Sequence, residues 1–124
     1  MQKLVKYIKS PLEEENCEAI KLSGTILSVD NPETVDIFIY NGGINALASH
    51  FNDQTSIQKM KEVLWAISNI SAGTNDQIRY LIKDEELISN LLKLIDCNSQ
   101  SIKREVTVVF TNLFITCTEQ EIIL

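Results

Sequence analysis

Residues 61–73 read KEVLWAISNISAG, and this stretch decides the fold class. Val63, Ile67 and Ile70 are spaced three and four residues apart, so they form one apolar stripe along a helix. Such a stripe predicts a helix that buries one face against neighbouring helices and leaves its other faces polar or exposed.

The same helix carries three distinctive residues on another face. Glu62, Trp65 and Asn69 lie at positions i, i+3 and i+7, which places them on one side of a helix. An Asn amide both donates and accepts hydrogen bonds, so it can hold an extended peptide backbone of any sequence. An indole face attracts Lys or Arg by about 0.5–2 kcal/mol, and a carboxylate adds opposite charge. From the spacing alone, this face is either a candidate surface for a basic peptide or a packing surface, since a single Trp on a helix is more often a core residue and an Asn can simply face solvent.

The helix has two counterparts, which appear when the chain is shifted by 43 or 44 positions. Residues 18–20 and 105–106 align with 62–64, and residues 24–26 and 111–113 align with 68–70. The pattern predicts long helices over residues 13–28, 57–72 and 101–116, and short helices over 35–40 and 78–83. No sustained alternation of apolar and polar residues indicates a strand.

The repeat length points to an architecture. Roughly 40–47 residues with two or three helices is the length of an armadillo or HEAT unit. We therefore predict an all-α chain, an α-solenoid whose three-helix repeats stack into a right-handed superhelix. The single segment 1–124 divides into a partial repeat at 1–29, repeats at 30–72 and 73–116, and the start of another at 117–124. Since both ends interrupt a repeat, we expect the solenoid to be incomplete at both ends.

Charge and composition limit the classes of binding partner and the cellular compartment that we expect for this chain. Seventeen acidic against eleven basic residues give a net charge of −6, which disfavours nucleic acid and anionic membranes and favours cationic partners. Three cysteines without a CxxC pair are typical of reduced thiols in the cytosol or nucleus. No apolar run approaches the length of a membrane span, and the N-terminus lacks a secretory pattern.

Catalysis has little support in this sequence. His50 is the single histidine, so a His-based metal cluster is excluded and a nucleophilic triad has one candidate base. Phosphate-binding and nucleophile-elbow motifs are absent. We predict no catalytic residue, no metal and no cofactor, although a helical enzyme of an unrecognised kind is a formal rival.

The stretch at 61–73, followed by Asn75, Asp76, Gln77 and Ile78, closely resembles an armadillo repeat of the importin α (karyopherin α) family. The hallmark of that family is a long third helix reading K-E-x-x-W-x-x-S-N-I-x-A-G. Residues 19–26 and 103–112 are similar to the flanking units, so the three long helices resemble those of repeats six, seven and eight.

The resemblance implies an armadillo-type fold and a role in nuclear protein import. Basic nuclear-localisation-signal segments of cargo proteins would bind along the third helices, and other import factors would be further partners. The chain would then work in the cytoplasm and nucleus. The residues that match the peptide-binding positions of the family are Trp65, Asn69, Asn112, Glu62, Glu105 and Lys21.

Two departures from the family keep an alternative open. Val108 stands where the eighth unit has Trp, and Thr25 stands where the sixth unit has Asn. A generic armadillo-repeat interaction scaffold, with no specificity for localisation signals, explains these two residues better than an import adaptor does.

Overall fold

The computed structural model describes the backbone of residues 1–123 and the side chains of residues 1–116. The described residues form eight helices and no strand. The helices are α1 (Gln2–Ile8), α2 (Glu13–Leu27), α3 (Pro32–Tyr40), α4 (Gly43–Ala48), α5 (Ile57–Ser71), α6 (Asn75–Lys83), α7 (Glu85–Ile95) and α8 (Gln100–Ile123). The predicted start of a further repeat at 117–124 falls on side chains outside the described part and stays a prediction.

The helix order follows the predicted repeat. The long helices α2, α5 and α8 confirm the predictions for 13–28, 57–72 and 101–116, and α8 continues beyond the predicted end. In each repeat a first helix (α3 or α6) and a second helix (α4 or α7) precede the long one, while α1 and α2 form the partial repeat. Helix α5 packs between α2 and α8, so the central long helix has a neighbour on both sides.

Local capping sets where the first helices begin. Asn31 accepts a hydrogen bond from the Glu33 amide at 3.1 Å, and Pro32 occupies the first turn, so α3 begins before the predicted Val35. Thr74 and Gln77 form a capping box at the start of α6, which likewise begins before the predicted Ile78. Both short helices are therefore one turn longer than the apolar pattern indicated.

The apolar stripe of α5 lies in the centre of the core. Val63, Ile67 and Ile70 are fully buried, as the spacing predicted. In α8 the equivalent Val106 and Leu113 are also buried. Because each long helix buries its stripe against the adjacent repeat, the core is continuous along the solenoid.

Polar contacts join each repeat to the next at equivalent positions. The Nε2 atom of His50, two residues after α4, lies 2.7 Å from the carbonyl oxygen of Ile8 at the end of α1. The Gln77 amide of α6 donates to the Pro32 carbonyl oxygen at 3.0 Å and to Asp36 Oδ1 at 2.9 Å in α3. Since the bonded residues are 41 to 45 positions apart, these contacts set the register between repeats. The structure thus gives His50 a role in stacking.

An ion pair joins the N-terminal ends of α2 and α5. Lys59 Nζ lies 2.6 Å from Glu13 Oε1, with the lysine side chain 6% exposed and the glutamate side chain 71% exposed. The hydrogen bond from Lys59 lowers the pKa of Glu13 below its ordinary value. A buried ammonium that loses its carboxylate partner is costly, whereas an apolar replacement of the lysine leaves no buried charge.

This asymmetry predicts the effect of two substitutions on stability. Glu13→Gln strands the buried Lys59 ammonium, so we expect a lower Tm than that of the parent, whereas Lys59→Met is expected to change Tm little. Thermal unfolding followed by circular dichroism measures both. Because the folded pKa of Glu13 is lowered, its contribution is complete at neutral pH and disappears as pH falls through that pKa. Equal Tm values for parent and Glu13→Gln at neutral pH would contradict this.

Candidate functional site

The long helices present three parallel rows of side chains at equivalent repeat positions. Each row takes one residue from α2, one from α5 and one from α8. The carboxylate row is Glu18, Glu62 and Glu105; the central row is Lys21, Trp65 and Val108; the amide row is Thr25, Asn69 and Asn112. Trp65 is 37% exposed and Val108 is 44% exposed, and Lys21 is also exposed, so the central row faces solvent.

Trp65 rests on the preceding repeat at Gly24. A Cβ atom at position 24 would lie 2.3 Å from Cε3 and 2.5 Å from Cζ3 of the indole, so the ring occupies the space that a side chain would need. Glycine in the C-terminal half of α2 therefore allows the indole to lie against the helix backbone. Trp65 contributes both to stacking between repeats and to the exposed surface.

Asn69 also contacts Gly24. Its Nδ2 donates to the Gly24 carbonyl oxygen at 3.0 Å, which joins the C-terminal halves of α2 and α5. Its Oδ1 has no hydrogen-bond partner among the described residues and is not fully buried. One amide hydrogen of Asn69 is thus bonded within the fold, while its Oδ1 is unpaired among the described residues.

Asn112 repeats this contact in a lengthened form. Its Nδ2 donates to Ser71 Oγ at 3.0 Å, and Ser71 Oγ donates to the Ser68 carbonyl oxygen at 2.7 Å. Ser68 is the repeat equivalent of Gly24. Asn112 therefore reaches the equivalent carbonyl group through the Ser71 hydroxyl group, whereas Asn69 bonds to it directly. The two predicted asparagines therefore have equivalent places in successive repeats.

The carboxylate row gives the surface a negative edge. Glu62 and Glu105 are half-buried, and Glu62 accepts a hydrogen bond from Gln58 Nε2 at 3.1 Å. Glu18, which was not among the predicted site residues, is exposed in the same row. The 44-residue match of Glu18 to Glu62 was the signal that could have found it.

Of the six predicted site residues, the structure brings two together through a shared contact, and the shared surface of all six stays a prediction. Trp65 and Asn69 meet at Gly24, whereas Lys21, Glu62, Glu105 and Asn112 lie in their rows at successive repeats. A cleft of about 310 Å³ also opens beside Asn69, between the α2–α3 connection and residues 72–74. The sequence reasoning missed this cleft and the roles of Gly24 and Ser71, because each depends on a contact between repeats.

The described residues contain no candidate metal cluster. No group of three or more His, Cys, Asp or Glu side chains within them could hold a metal ion. Burial raises the pKa of the Cys17 thiol, which keeps it protonated and weakly nucleophilic. Among the helices of this part of the chain, none is both long enough and apolar enough to cross a membrane.

Solved structures similar to this one include designed armadillo repeat proteins. The designed armadillo repeat protein YIII(Dq)4CqI superimposes with a TM-score of 0.80 at 29% identity, over 90% of this chain and 45% of that chain. The fold is an armadillo-type α-solenoid. A designed armadillo repeat protein YIII(Dq.V1)4CPAF, in complex with the peptide (KR)4, has a TM-score of 0.81 at 31% identity over the same shares.

A third match is a computationally designed armadillo repeat protein for modular peptide recognition, with a TM-score of 0.81 at 26% identity. It matches over 95% of this chain and 51% of its own length. The chain thus spans about half the length of the solved proteins that it resembles. No family model matches the sequence, and no curated protein matches it.

The contact between Trp65 and Gly24 yields a stability prediction. In an exposed helix Gly→Ala stabilises by roughly 0.5–1 kcal/mol, yet Gly24→Ala is expected to destabilise by about 1–3 kcal/mol because the new methyl displaces the indole. Chemical denaturation measures the free energy of unfolding, and the emission of Trp65, the single tryptophan, is expected to shift to longer wavelength.

The neighbouring exposed residue provides the control. Thr25→Ala changes the same turn of α2 without entering the space of the indole, so its emission maximum should match that of the parent. A Gly24→Ala variant that is more stable than the parent would show that Trp65 does not depend on the glycine.

Proposed function

We propose that this chain is a protein-interaction module that binds an extended peptide segment across α2, α5 and α8. The observation that carries this proposal is the exposed Trp65, which lies between a row of carboxylates and a row of amides. Armadillo-type solenoids are typically binding scaffolds, and the similar designed proteins include one made for modular peptide recognition. A ladder of equivalent side chains at successive repeats suits a ligand that is itself extended and periodic.

The chemistry of the surface favours a basic segment. The carboxylate row carries three negative charges, of which Glu62 lies three residues before Trp65 on the same helix, and the chain as a whole carries a net charge of −6. A Lys or Arg stem packed on Trp65 would place its cation within reach of Glu62 or Glu105. The designed neighbour in complex with (KR)4 shows that an armadillo surface accepts a peptide of this kind.

Recognition of nuclear localisation signals is the finer proposal. It is supported by the resemblance of residues 61–73 to the importin α family, and it would place the chain in the cytoplasm and nucleus with cargo proteins and other import factors as partners. The similar designed armadillo repeat proteins support a general peptide-interaction module better than they support recognition of localisation signals. At positions 108 and 25 the rows carry Val and Thr in place of the Trp and Asn that the importin α family has there.

Peptide titration tests the module. An octapeptide of alternating Lys and Arg is expected to quench Trp65, and the same peptide with alanine at each lysine is expected to bind more weakly. Trp65→Ala should cost on the order of 1–3 kcal/mol of binding free energy because a stacking face is lost. Fluorescence anisotropy with a labelled peptide follows both proteins. Higher salt should weaken binding because the carboxylates are screened.

Tyr80 on α6 is the matched control. It is also an exposed aromatic residue, but it lies outside the three rows, so Tyr80→Ala should bind like the parent. Equal losses for Tyr80→Ala and Trp65→Ala would contradict the proposed surface. A localisation-signal peptide that binds no better than alternating Lys and Arg would favour the general module.

The packing of Trp65 also predicts how the site can be extended. Val108→Trp alone lacks a glycine beneath it, because Ser68 occupies the position equivalent to Gly24. Val108→Trp combined with Ser68→Gly restores the arrangement and should strengthen peptide binding by roughly fivefold to tenfold. The anisotropy titration compares the single and double variants. If the two bind alike, position 68 does not control how the new indole lies.

A further inference from the structure

A cleft outside the three rows lies between α3 and α6, the first helices of two successive repeats. It encloses about 730 Å³ and is lined by α3, by the start of α4, by α6 and by the residue that follows α6. None of its lining residues belongs to α2, α5 or α8, and none is basic. We call it the α3–α6 cleft. Its acidic and aromatic lining residues are Asp36, Tyr40, Asp76, Tyr80 and Asp84.

Carboxylates and tyrosines alternate along this cleft. Asp36 and Tyr40 are four residues apart on α3, so they share one side of that helix. Tyr80 on α6 and Asp84 directly after it have the same spacing in the opposite order. At the 44-residue shift Tyr80 is the repeat equivalent of Asp36, and Asp84 is likewise that of Tyr40. Each ring thus has one carboxylate along its own repeat and another at the equivalent position of the adjacent repeat.

The two rings face solvent within the cleft. Tyr40 is 90% exposed and Tyr80 is 59% exposed, so neither ring contributes much to the core. Single exposed aromatic residues are common on protein surfaces, but two of them lining one acidic cleft form a surface of distinct chemistry. The negative face of an aromatic ring attracts cations, as the neighbouring carboxylates do. The rings and the carboxylates therefore favour the same kind of ligand.

Two of the carboxylates are already oriented by the fold. Gln77 Nε2 donates to Asp36 Oδ1 at 2.9 Å, and the Leu87 amide donates to Asp84 Oδ1 at 3.0 Å. The Oδ2 atoms of both aspartates accept no hydrogen bond from the described residues. Each carboxylate thus offers one acceptor to a ligand, and its fixed orientation lowers the entropic cost of binding.

The third carboxylate is partly compensated. Asp76 Oδ1 lies 3.3 Å from Arg79 Nη1 in an exposed pair on α6. The two carboxylates available to a cation are therefore Asp36 and Asp84.

We propose that the α3–α6 cleft binds an arginine side chain of a partner protein. A guanidinium group is planar, so it stacks on an aromatic ring while its five N–H donors point outward to acceptors at its edge. Stacked on Tyr40 or Tyr80, it would reach the carboxylates that alternate with the rings. The half-buried Ile39 also lines the cleft and would contact the methylene groups of the arginine. A lysine ammonium has three donors and no flat face, so it suits this cleft less well.

The α3–α6 cleft is separate from the surface of the three rows and goes beyond the function proposed for it. A single side chain in an open cleft is expected to bind with a Kd of about 1 mM. A titration at micromolar peptide therefore reports binding to the three rows and leaves this cleft empty.

Heteronuclear NMR of the isotope-labelled 124-residue chain tests the proposal. The probe is a tripeptide of glycine, arginine and glycine, blocked at both ends, titrated to about tenfold above the expected Kd. The backbone amide signals of Tyr40, Asn45 and Tyr80 should shift together. The same tripeptide with citrulline, a neutral residue of nearly the same shape, should bind at least about tenfold more weakly because the charge is lost. The lysine tripeptide should bind about threefold more weakly than the arginine tripeptide.

Substitutions separate the rings from the carboxylates. Tyr40→Ala should weaken binding about threefold because a stacking face is lost, and the high exposure of Tyr40 leaves the fold intact. Asp36→Asn should also weaken binding about threefold. It removes the charge but keeps an oxygen that can accept from Gln77. Tyr7→Ala and Asp53→Asn are the matched controls, since these exposed residues lie outside the cleft, and both should bind like the parent.

Three results would overturn the proposal. The first is an absence of shifts at the cleft over the whole titration, and the second is equal binding of the arginine and citrulline tripeptides. The third is unchanged binding by both Tyr40→Ala and Asp36→Asn. Shifts confined to Trp65, Asn69 and Asn112 would place the arginine on the three rows, which would support the proposed function while rejecting the α3–α6 cleft.

Discussion

The close approach of Trp65 to Gly24 is the contact on which the stacking of the first two repeats depends. The indole lies where a Cβ atom would be, and the neighbouring Asn69 uses the carbonyl group of the same glycine. A single position without a side chain thus receives both an aromatic ring and an amide. A larger residue there would displace the indole and disturb the packing beside the Asn69 hydrogen bond.

The second constraint is the register between adjacent repeats, which is set by polar contacts. Apolar stripes alone allow a helix to slide along its neighbour, because one buried Ile or Leu can replace another at modest cost. The bonds from His50 to Ile8, from Gln77 to Pro32 and from Lys59 to Glu13 do not permit such sliding. Each joins equivalent helices of adjacent repeats, and a slip by one turn would leave a buried polar or charged group without its partner.

The candidate surface and the stacking contacts share residues. Asn69 gives one amide hydrogen to the fold, and Asn112 does the same through Ser71. A peptide held by these amides would meet side chains whose orientation is already set, which lowers the entropic cost of binding. The stacking contacts also account for the different sizes of two side chains in the central row. Trp65 lies over Gly24, whereas the smaller Val108 has Ser68 at the equivalent position of the preceding repeat.

The sequence by itself determined the helices, the repeat and the face that carries Glu62, Trp65 and Asn69. These depend on spacing along one helix, and apolar spacing reports which side is buried without reference to any neighbour. It also indicated Asn112 through the 43-residue shift, whereas Lys21 was indicated only by the resemblance to the importin α family. Only the tertiary structure decided that Trp65 rests on Gly24, that Ser71 links Asn112 to the preceding repeat, and that Lys59 is buried against Glu13. These contacts join residues more than 40 positions apart, and their geometry depends on how closely two helices approach. The distance between two helices depends on the sizes of all the side chains that pack between them. A pattern within one helix does not include the side chains of its neighbour.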